Sequence, residues 1–283
     1  MVIGASGNLG TPLSLEIGKH YEVVSLRSTH GNQILSHGMG VDSLERCLAQ
    51  LGHQRSPECV VINAQSPLYR SNDPLDICEL ERVNVELPMI FAEYSQKHLS
   101  KLLYTSSGSV YRPSLEPLTE TSSRLIDSDD SYVQSKLKME DSLRNITKDR
   151  VIIIRPFYVF GPFQREHSLF YRLIARVRAN QVIELSQGVG MHFNPIYSFD
   201  SAKIITKIIQ ECDQGIFNIS GNTNTDLRSV LEQIGKILSI TPQIAESGGS
   251  ASYSIADSSR AWQFIEGDRG TSLGRALQLT IGT

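Results

Sequence analysis

The amino-acid sequence predicts an α/β fold built on a mostly parallel, doubly wound sheet. Short apolar stretches alternate with amphipathic stretches through the first 160 residues, which is typical of strands alternating with helices. A turn with glycine at every third position follows the first apolar stretch. Strict alternation favours right-handed crossovers, which bring successive strands into a parallel sheet. A length of 283 residues suits one large α/β unit or a larger domain with a smaller companion.

The predicted elements follow one another along the chain in this alternation. The apolar stretches predict strands at 1–3, 22–26, 59–63, 102–105 and 151–154. The amphipathic stretches predict helices at 12–19, 43–51, 79–98 and 132–146. Beyond residue 157 the pattern is less regular, and it predicts helices at 169–178, 202–211 and 227–238, strands at 182–185 and 216–219, and a Ser/Gly loop at 246–252.

Composition narrows the function classes. The chain has 27 Lys and Arg against 30 Asp and Glu, a net charge of -3, without a basic tract, so no nucleic-acid or anionic-membrane partner is indicated. No run of 18 apolar residues and no signal-like amino terminus are present, and we expect a soluble, cytoplasmic protein. The 4 cysteines form no C-x-x-C pair, so no metal site is predicted.

The glycine-spaced turn predicts a phosphate-binding loop. Glycines between a strand and a helix let backbone N–H groups approach a pyrophosphate, which then lies at the positive end of the helix. The first predicted strand has only three residues before the first glycine. The residues expected to contact a dinucleotide here are Gly4, Ser6, Gly7, Asn8, Leu9 and Gly10.

The end of the second predicted strand bears on the choice of cofactor. A carboxylate at this position binds the adenosine ribose and repels a 2′-phosphate, whereas a guanidinium pairs with that phosphate. Arg27, followed by the hydroxyl of Ser28, stands where the acidic residue would be. The sequence therefore favours NADP, with NAD possible.

Tyr132 and Lys136 are a candidate acid/base pair. They are four residues apart in a predicted helix, so they share one face. A phenol titrates near ~10, and an adjacent ammonium favours its ionised form, which suits proton transfer at neutral pH. Ser107 follows a predicted buried strand, 25 residues before Tyr132, and would present a hydroxyl at the carboxyl end of that strand.

A series of short motifs follows the glycine turn in a fixed order along nearly the whole chain: Gly4-x-x-Gly7-x-x-Gly10, Val60-Val-Ile-Asn-Ala-Gln65, Val83-Asn-Val85, Thr105-Ser-Ser-Gly-Ser-Val-Tyr111, Tyr132-x-x-x-Lys136, Arg155-Pro-Phe-Tyr-Val-Phe-Gly-Pro162 and Asn194-Pro-Ile-Tyr-Ser-Phe-Asp200. In these motifs the chain resembles the extended short-chain dehydrogenase/reductases, the epimerase/dehydratase group that acts largely on nucleotide sugars. The resemblance implies a Rossmann-type doubly wound parallel sheet with a smaller, interleaved α+β substrate-binding domain. Residues 1–157 would form the nucleotide-binding domain, 189–212 would return to it, and 158–283 would mainly bind substrate.

The resemblance also implies roles for individual residues. Ser107 would hold the substrate oxygen, with Ser106 as the alternative if the strand end is shifted by one residue. Tyr132 would transfer the proton, and Lys136 would contact the nicotinamide ribose while lowering the tyrosine pKa. The further cofactor contacts implied by the family are Asp42, Ala64, Asn84, Pro156 and Val159.

Three departures from the family pattern concern the substrate. Arg112 replaces a glycine, Tyr158 replaces an asparagine and Phe193 replaces an arginine, and the latter two family residues commonly help to hold a nucleotide diphosphate. Arg112, Arg165 and Arg172 are possible substitutes. The predicted substrate-binding residues are Ser107, Arg112, Tyr158, Arg165 and Arg172.

Four functions remain open from the sequence. An NADP-dependent 4-keto reductase of a nucleotide-linked deoxysugar fits Arg27, and a 4-epimerase with tightly held NAD fits the motifs equally well. A dehydratase fits less well because Gly108 and Ser109 occupy the positions of its acid/base pair, and a nonenzymatic NADP-sensing or scaffold protein is the alternative from another class. The resemblance also predicts a homodimer formed through the helices near 79–98 and 132–146.

Overall fold

The computed structural model describes residues 1–27, 40–53, 55–64, 74–147 and 150–282. The strands in chain order are β1 (Val2–Ile3), β2 (Ser25–Leu26), β3 (Cys59–Ile62), β4 (Lys101–Thr105), β5 (Ile152–Pro156), β6 (Val159–Phe160), β7 (Ile183–Ser186), β8 (His192–Phe193), β9 (Ile196–Tyr197), β10 (Gly215–Ile219), β11 (Thr225–Asp226), β12 (Ile244–Ser247) and β13 (Tyr253–Ser254).

The helices in chain order are α1 (Gly7–Ile17), α2 (Val41–Gln50), α3 (Pro74–Glu81), α4 (Leu87–Lys97), α5 (Ser131–Thr147), α6 (Leu169–Arg178), α7 (Ser198–Glu211), α8 (Leu227–Leu238), α9 (Ser259–Trp262) and α10 (Leu273–Ile281). A π-helical turn, Arg82–Glu86, joins α3 to α4. Among the helices described, none is long and apolar enough to cross a membrane.

The main sheet is parallel throughout and confirms the predicted fold class. Its strand order is β10-β5-β4-β3-β1-β2. The chain moves outward from β1 to β2 and then crosses back to β3 on the other side of β1. The carboxyl ends of β1 and β3 are therefore the topological switch point, where doubly wound sheets bind ligands.

Both faces of the central strands of this sheet are buried, which explains why these strands are mostly apolar runs. In β3, Val60 and Ile62 pack into a core beneath α2, α4 and α5, while Val61 faces a second core beneath α1 and α7. β2 is shorter than the predicted 22–26 strand. Residues 22–24 of the predicted strand are exposed or half-buried and lie outside the regular ladder of β1 and β2.

The chain beyond β5 is divided between the main sheet and a smaller region. Helix α7 packs against α1, and β10 pairs with β5 as an outer strand of the main sheet, so the chain returns to the sheet beyond residue 212 as well as before it. A separate core lies under α6, α8 and α10 with the short strands β6 to β9. The Ser/Gly loop is shorter than expected, because Glu246 and Ser247 belong to β12.

Candidate active site

The glycine-spaced turn is a tight connection over the switch point. Gly4 has φ +72°, and a Cβ on it would lie 2.4 Å from the carbonyl oxygen of Asn63. A Cβ on Gly10 would lie 2.0 Å from the Gly4 carbonyl oxygen. Asn63 also donates from Nδ2 to that oxygen at 3.0 Å. The sequence pattern thus reflects close packing of the turn on the end of β3.

The start of α1 fits a bound phosphate group. Ser6 precedes the helix without a side-chain capping hydrogen bond, and the first turn contains no acidic residue. The N–H groups and positive dipole end of this turn therefore remain suited to an anion. Asn8 donates from Nδ2 to the Val159 carbonyl oxygen at 2.6 Å, which ties the loop to the start of β6.

A cavity of about 670 Å³ lies at the carboxyl ends of the strands, next to this loop. It brings together most of the predicted site. The predicted residues that line it are Gly4, Ser6, Gly7, Asn8, Leu9, Arg27, Ala64, Ser107, Arg112, Tyr132, Pro156, Tyr158, Val159 and Arg165. Lys136, Gly10 and Asn84 are buried behind the wall, and Asn84 donates from Nδ2 to Ser135 Oγ at 3.1 Å.

Two predicted contacts lie elsewhere and one is not described. Asp42 lies in the first turn of α2 and Arg172 is exposed on α6, and neither is among the residues around the cavity. Ser28 lies outside the described residues. The structure therefore brings together the glycine loop, Arg27 and the predicted Ser107, Tyr132 and Lys136 set, and it places Asp42 and Arg172 away from them.

Lys136 lies at the base of the site, beneath the half-buried Tyr132. Its Nζ is 5.7 Å from the centroid of the Tyr132 ring and 5.0 Å from that of Tyr104, and it donates to the Thr105 carbonyl oxygen at 3.1 Å. The side chain is fully buried, and this burial lowers the Lys136 pKa to about 7, with the charge of Glu140 acting in the opposite direction. The lysine is thus held close to its point of half-protonation at neutral pH.

The two candidate serines differ in burial. Ser107 lines the cavity, and its Oγ contacts Ser109 Oγ at 2.9 Å and accepts from the Ser109 N–H at 3.2 Å. Ser106 is fully buried, with its N–H bonded to the Ile154 carbonyl oxygen at 2.8 Å. Of the two, Ser107 is the residue whose hydroxyl can reach a ligand in the cavity.

Three arginines of the described part of the chain line the cavity at different places. Arg27 lies at the end of β2, beside the turn. Arg165 lies over the glycine loop, because its Nε is 3.9 Å from the position of a Cβ on Gly7. Arg112 donates from Nη2 to Asp127 Oδ1 at 2.6 Å, and this pairing lowers the pKa of the Asp127 carboxyl. Arg165 thus faces the loop predicted to hold the cofactor, although the sequence suggested a substrate contact.

The family departures at 158 and 193 are in direct contact. The rings of Tyr158 and Phe193 meet edge to face with centroids 5.0 Å apart, and the Tyr158 hydroxyl donates to Met191 Sδ at 3.0 Å. Tyr158 adopts φ +44°, a conformation that costs a bulky residue energy. Tyr158 therefore presents an aromatic side chain to the cavity, with the fully buried Phe193 packed against it, where the family pattern predicts polar contacts.

Several lining residues were missed by the sequence reasoning. Asp130 caps α5 by accepting from the Tyr132 N–H at 2.8 Å, and an acidic residue before a predicted helix is a signal that could have identified it. Tyr253 and Ser254 come from β13, which pairs with β8 and brings the last third of the chain to the cavity. No motif marks them, because their position depends on tertiary pairing.

The switch-point cavity lies beside the glycine loop, with Ser107 and Tyr132 at its wall and Lys136 buried behind them. This arrangement is typical of the NAD(P)-dependent short-chain dehydrogenase/reductase class. The chain belongs to the NAD dependent epimerase/dehydratase family, whose model matches residues 1–220, and it is an enzyme of that family. No match was found among curated proteins.

Solved structures of nucleotide-sugar enzymes share the fold over nearly the whole chain. The dTDP-4-dehydrorhamnose reductase from Clostridium acetobutylicum has 16% identity and a TM-score of 0.79, covering 99% of this chain and 97% of that one. The corresponding Bacillus anthracis enzyme, in complex with NADP, has 16% identity and a TM-score of 0.78, covering 100% and 98%. The Bacillus cereus UDP-glucuronic acid 4-epimerase, in complex with UDP-glucuronic acid and NAD, has 20% identity and a TM-score of 0.79, covering 99% and 97%. At these identities the likeness shows a shared fold.

Proposed function

We propose that this enzyme is an NADP-dependent oxidoreductase that reduces the 4-keto group of a nucleotide-linked sugar. The observation that carries the proposal is one cavity in which the Ser107 and Tyr132 side chains lie above buried Lys136, beside the glycine loop and Arg27. These side chains supply what carbonyl reduction needs from a protein. The serine hydroxyl supplies a hydrogen bond to the carbonyl oxygen, the phenol a proton and the ammonium a positive charge.

In the proposed reaction the side chains act on the substrate oxygen. A bound nicotinamide cofactor supplies the hydride. Ser107 Oγ donates a hydrogen bond to the carbonyl oxygen and holds it beside the Tyr132 phenol. Tyr132 gives its proton to that oxygen as the carbonyl becomes an alcohol. Lys136, in its ammonium form, stabilises the phenolate that Tyr132 then carries.

The cofactor would be held by the loop and by two cations. The turn at Gly4 and the start of α1 suit the pyrophosphate, and we propose that Arg165 contacts it from above. Arg27 suits the 2′-phosphate of NADP, because it lines the same cavity at the end of β2. Ala64 and Val159 would form its apolar walls.

The nucleotide-linked substrate is supported by the breadth of the cavity and by its cations. The cavity extends from the glycine loop to Tyr253, and Arg112 is among the residues that line it. The structural relatives include enzymes whose substrates are dTDP- and UDP-linked sugars. Tyr158 and Tyr253 would contact the less polar parts of such a ligand.

A 4-epimerase with tightly bound NAD is the second candidate, because Ser107, Tyr132 and Lys136 can serve two opposite hydride transfers as well as one. A dehydratase is disfavoured by the structure around residue 108. A Cβ on Gly108 would lie 2.5 Å from the Phe157 ring, so no acidic side chain fits at this position.

We also propose a homodimer through α3, α4 and α5. Helices α3 and α4 both pack against α5, and the family resemblance implies that this group of helices meets a second subunit. Light scattering coupled to size exclusion should give twice the 31.4 kDa chain mass. A monomer at micromolar concentration would contradict this proposal and leave the catalytic one intact.

Cofactor identity and a ligand panel test the function together. We expect the purified enzyme to bind exchangeable NADP(H), whereas retained NAD would favour the epimerase. With cofactor present, UDP-, dTDP-, GDP- and CDP-linked sugars should be screened by thermal shift, since a ligand that binds only the folded state raises the apparent Tm. If all of them fail and a simple keto compound stabilises the enzyme, the substrate proposal is wrong and a small-carbonyl reductase replaces it.

A further inference from the structure

A charged pair lies beneath the catalytic lysine. Helix α5 carries Tyr132, Lys136 and Glu140 at successive four-residue intervals, so all three share one face. Lys136 is 0% exposed and Glu140 is 1% exposed. The Glu140 carboxylate is one helical turn from the Lys136 ammonium, and water is excluded from both groups. Their electrostatic interaction is therefore stronger than that of the same two groups at a protein surface.

Glu140 is fixed in place by Arg155. The guanidinium donates from Nε to Oε1 at 2.9 Å and from Nη2 to Oε2 at 2.5 Å. Arg155 is itself held through Nη1, which donates to the Tyr111 hydroxyl at 2.7 Å, and that hydroxyl donates to Asn218 Oδ1 at 2.8 Å. The carboxylate is therefore anchored from β5 and cannot swing towards or away from Lys136.

Among the described residues around Lys136 and Glu140, the other groups do not compensate the charge of the lysine. Lys136 faces the rings of Tyr104 and Tyr132 and the Thr105 carbonyl oxygen, and burial raises the pKa of Tyr104, so that phenol stays neutral. Glu140 is the charged group that opposes the effect of burial on Lys136. On the far side, Arg124 lies 3.8 Å from Glu140, and its charge is balanced by Asp141 at 2.7 Å.

We propose that Glu140, anchored by Arg155, is a positioning residue that keeps Lys136 in its ammonium form beneath Tyr132. Glu140 contacts neither substrate nor cofactor and acts through the lysine. The catalytic consequence rests on the proposed function, but the electrostatic coupling itself is a property of the folded protein and can be measured without substrate.

A double-mutant cycle of stability at two pH values tests the coupling. The free energies of unfolding of the wild type, Glu140→Gln, Lys136→Met and the double variant are measured by urea denaturation. Near pH 6 the lysine is charged, and the cycle should give a coupling of about ten-fold or more in the unfolding equilibrium constant. Near pH 10 the folded-state lysine is neutral and the coupling should vanish. Any loss of stability that Glu140→Gln causes equally with and without Lys136, including the loss of its contacts with Arg155, cancels in the cycle.

The controls separate this role from a structural one. Asp141→Asn removes a negative charge from the exposed face of the same helix and should show no pH-dependent coupling to Lys136. If Glu140→Gln does not fold, the cycle is run with Glu140→Gln combined with Arg155→Met, because removing a buried pair together avoids an unpaired buried cation. A coupling that is absent near pH 6, or equal at both pH values, overturns the proposal in either background.

Activity provides a second readout. In the Glu140→Gln variant, the alkaline limb of the pH profile of kcat/KM should move to lower pH by about one unit, because Lys136 then loses its proton more easily. Glu140→Asp, which restores the carboxylate, should return the limb towards the wild-type position. An equal loss at every pH would mean that the residue serves only the fold. If no activity is found, the proposed function fails while the stability cycle still decides the coupling.

Discussion

Replacing Lys136 with methionine should stabilise the fold at neutral pH while it removes catalysis. Burial lowers the Lys136 pKa from 10.5 to about 7, so the unfolded chain binds a proton between these values that the folded protein does not. The free energy of unfolding therefore rises with pH between these two values. It falls by about 1.4 kcal/mol for each pH unit by which the pH is lowered. Near pH 7 the cost of the charge approaches about 4 kcal/mol.

The methionine variant loses one hydrogen bond, from Lys136 Nζ to the Thr105 carbonyl oxygen, worth about 1 kcal/mol. The variant should thus be more stable than the wild type by about 3 kcal/mol near pH 7 and slightly less stable near pH 10. Urea denaturation followed by circular dichroism across this range measures the difference. Lys138→Met is the matched control, because this lysine on the same helix has a side chain 58% exposed. If the wild type and Lys136→Met differ by the same amount at every pH, the buried charge is not the cause.

Three other predictions address the site. Tyr132→Phe should lower kcat by at least about 100-fold, because it removes the proton donor, and should leave cofactor affinity measured by fluorescence nearly unchanged; normal turnover would exclude Tyr132 as the acid. Arg27→Asp should weaken NADP binding much more than NAD binding in calorimetric titrations, and equal losses would show that Arg27 does not contact the 2′-phosphate. Gly10→Ala should abolish folding or cofactor binding because its Cβ would lie 2.0 Å from the Gly4 carbonyl oxygen, whereas Gly40→Ala, with open space around it, should be near neutral in thermal unfolding.

The sequence could predict the sheet because each central strand is buried on both faces. Such a strand must be an apolar run, and Cys59–Ile62 is one, so its position was clear before the structure. The predicted helix 79–98 corresponds to α3, the π-helical turn and α4, because periodicity detects a helical stretch but not a local change in its hydrogen bonding. The predicted strand at 22–26 was longer than β2 for a related reason. An apolar residue near the end of a strand does not have to form the hydrogen bonds of the ladder.

The site was predictable where chemistry and local spacing coincide. Tyr132 and Lys136 lie on one helix, so their spacing alone placed them together. The opposite holds for Tyr253, which reaches the cavity only because β13 pairs with β8. Arg165 was assigned to the substrate from its position in the chain, and its place over Gly7 depends on how the segment after β6 folds back. Contacts between distant segments leave no periodic signal.

The contact between Tyr158 and Phe193 has a consequence for how this pocket can change over evolution. An asparagine at position 158 would tolerate the left-handed backbone better than tyrosine does, yet on its own it would leave the edge of Phe193 and the sulfur of Met191 without their aromatic neighbour. A single exchange at either position is therefore disfavoured, and the two should vary together among homologues. Ligand preference in this lineage would then shift in one paired step, and a laboratory attempt to convert the pocket should alter both rings at once.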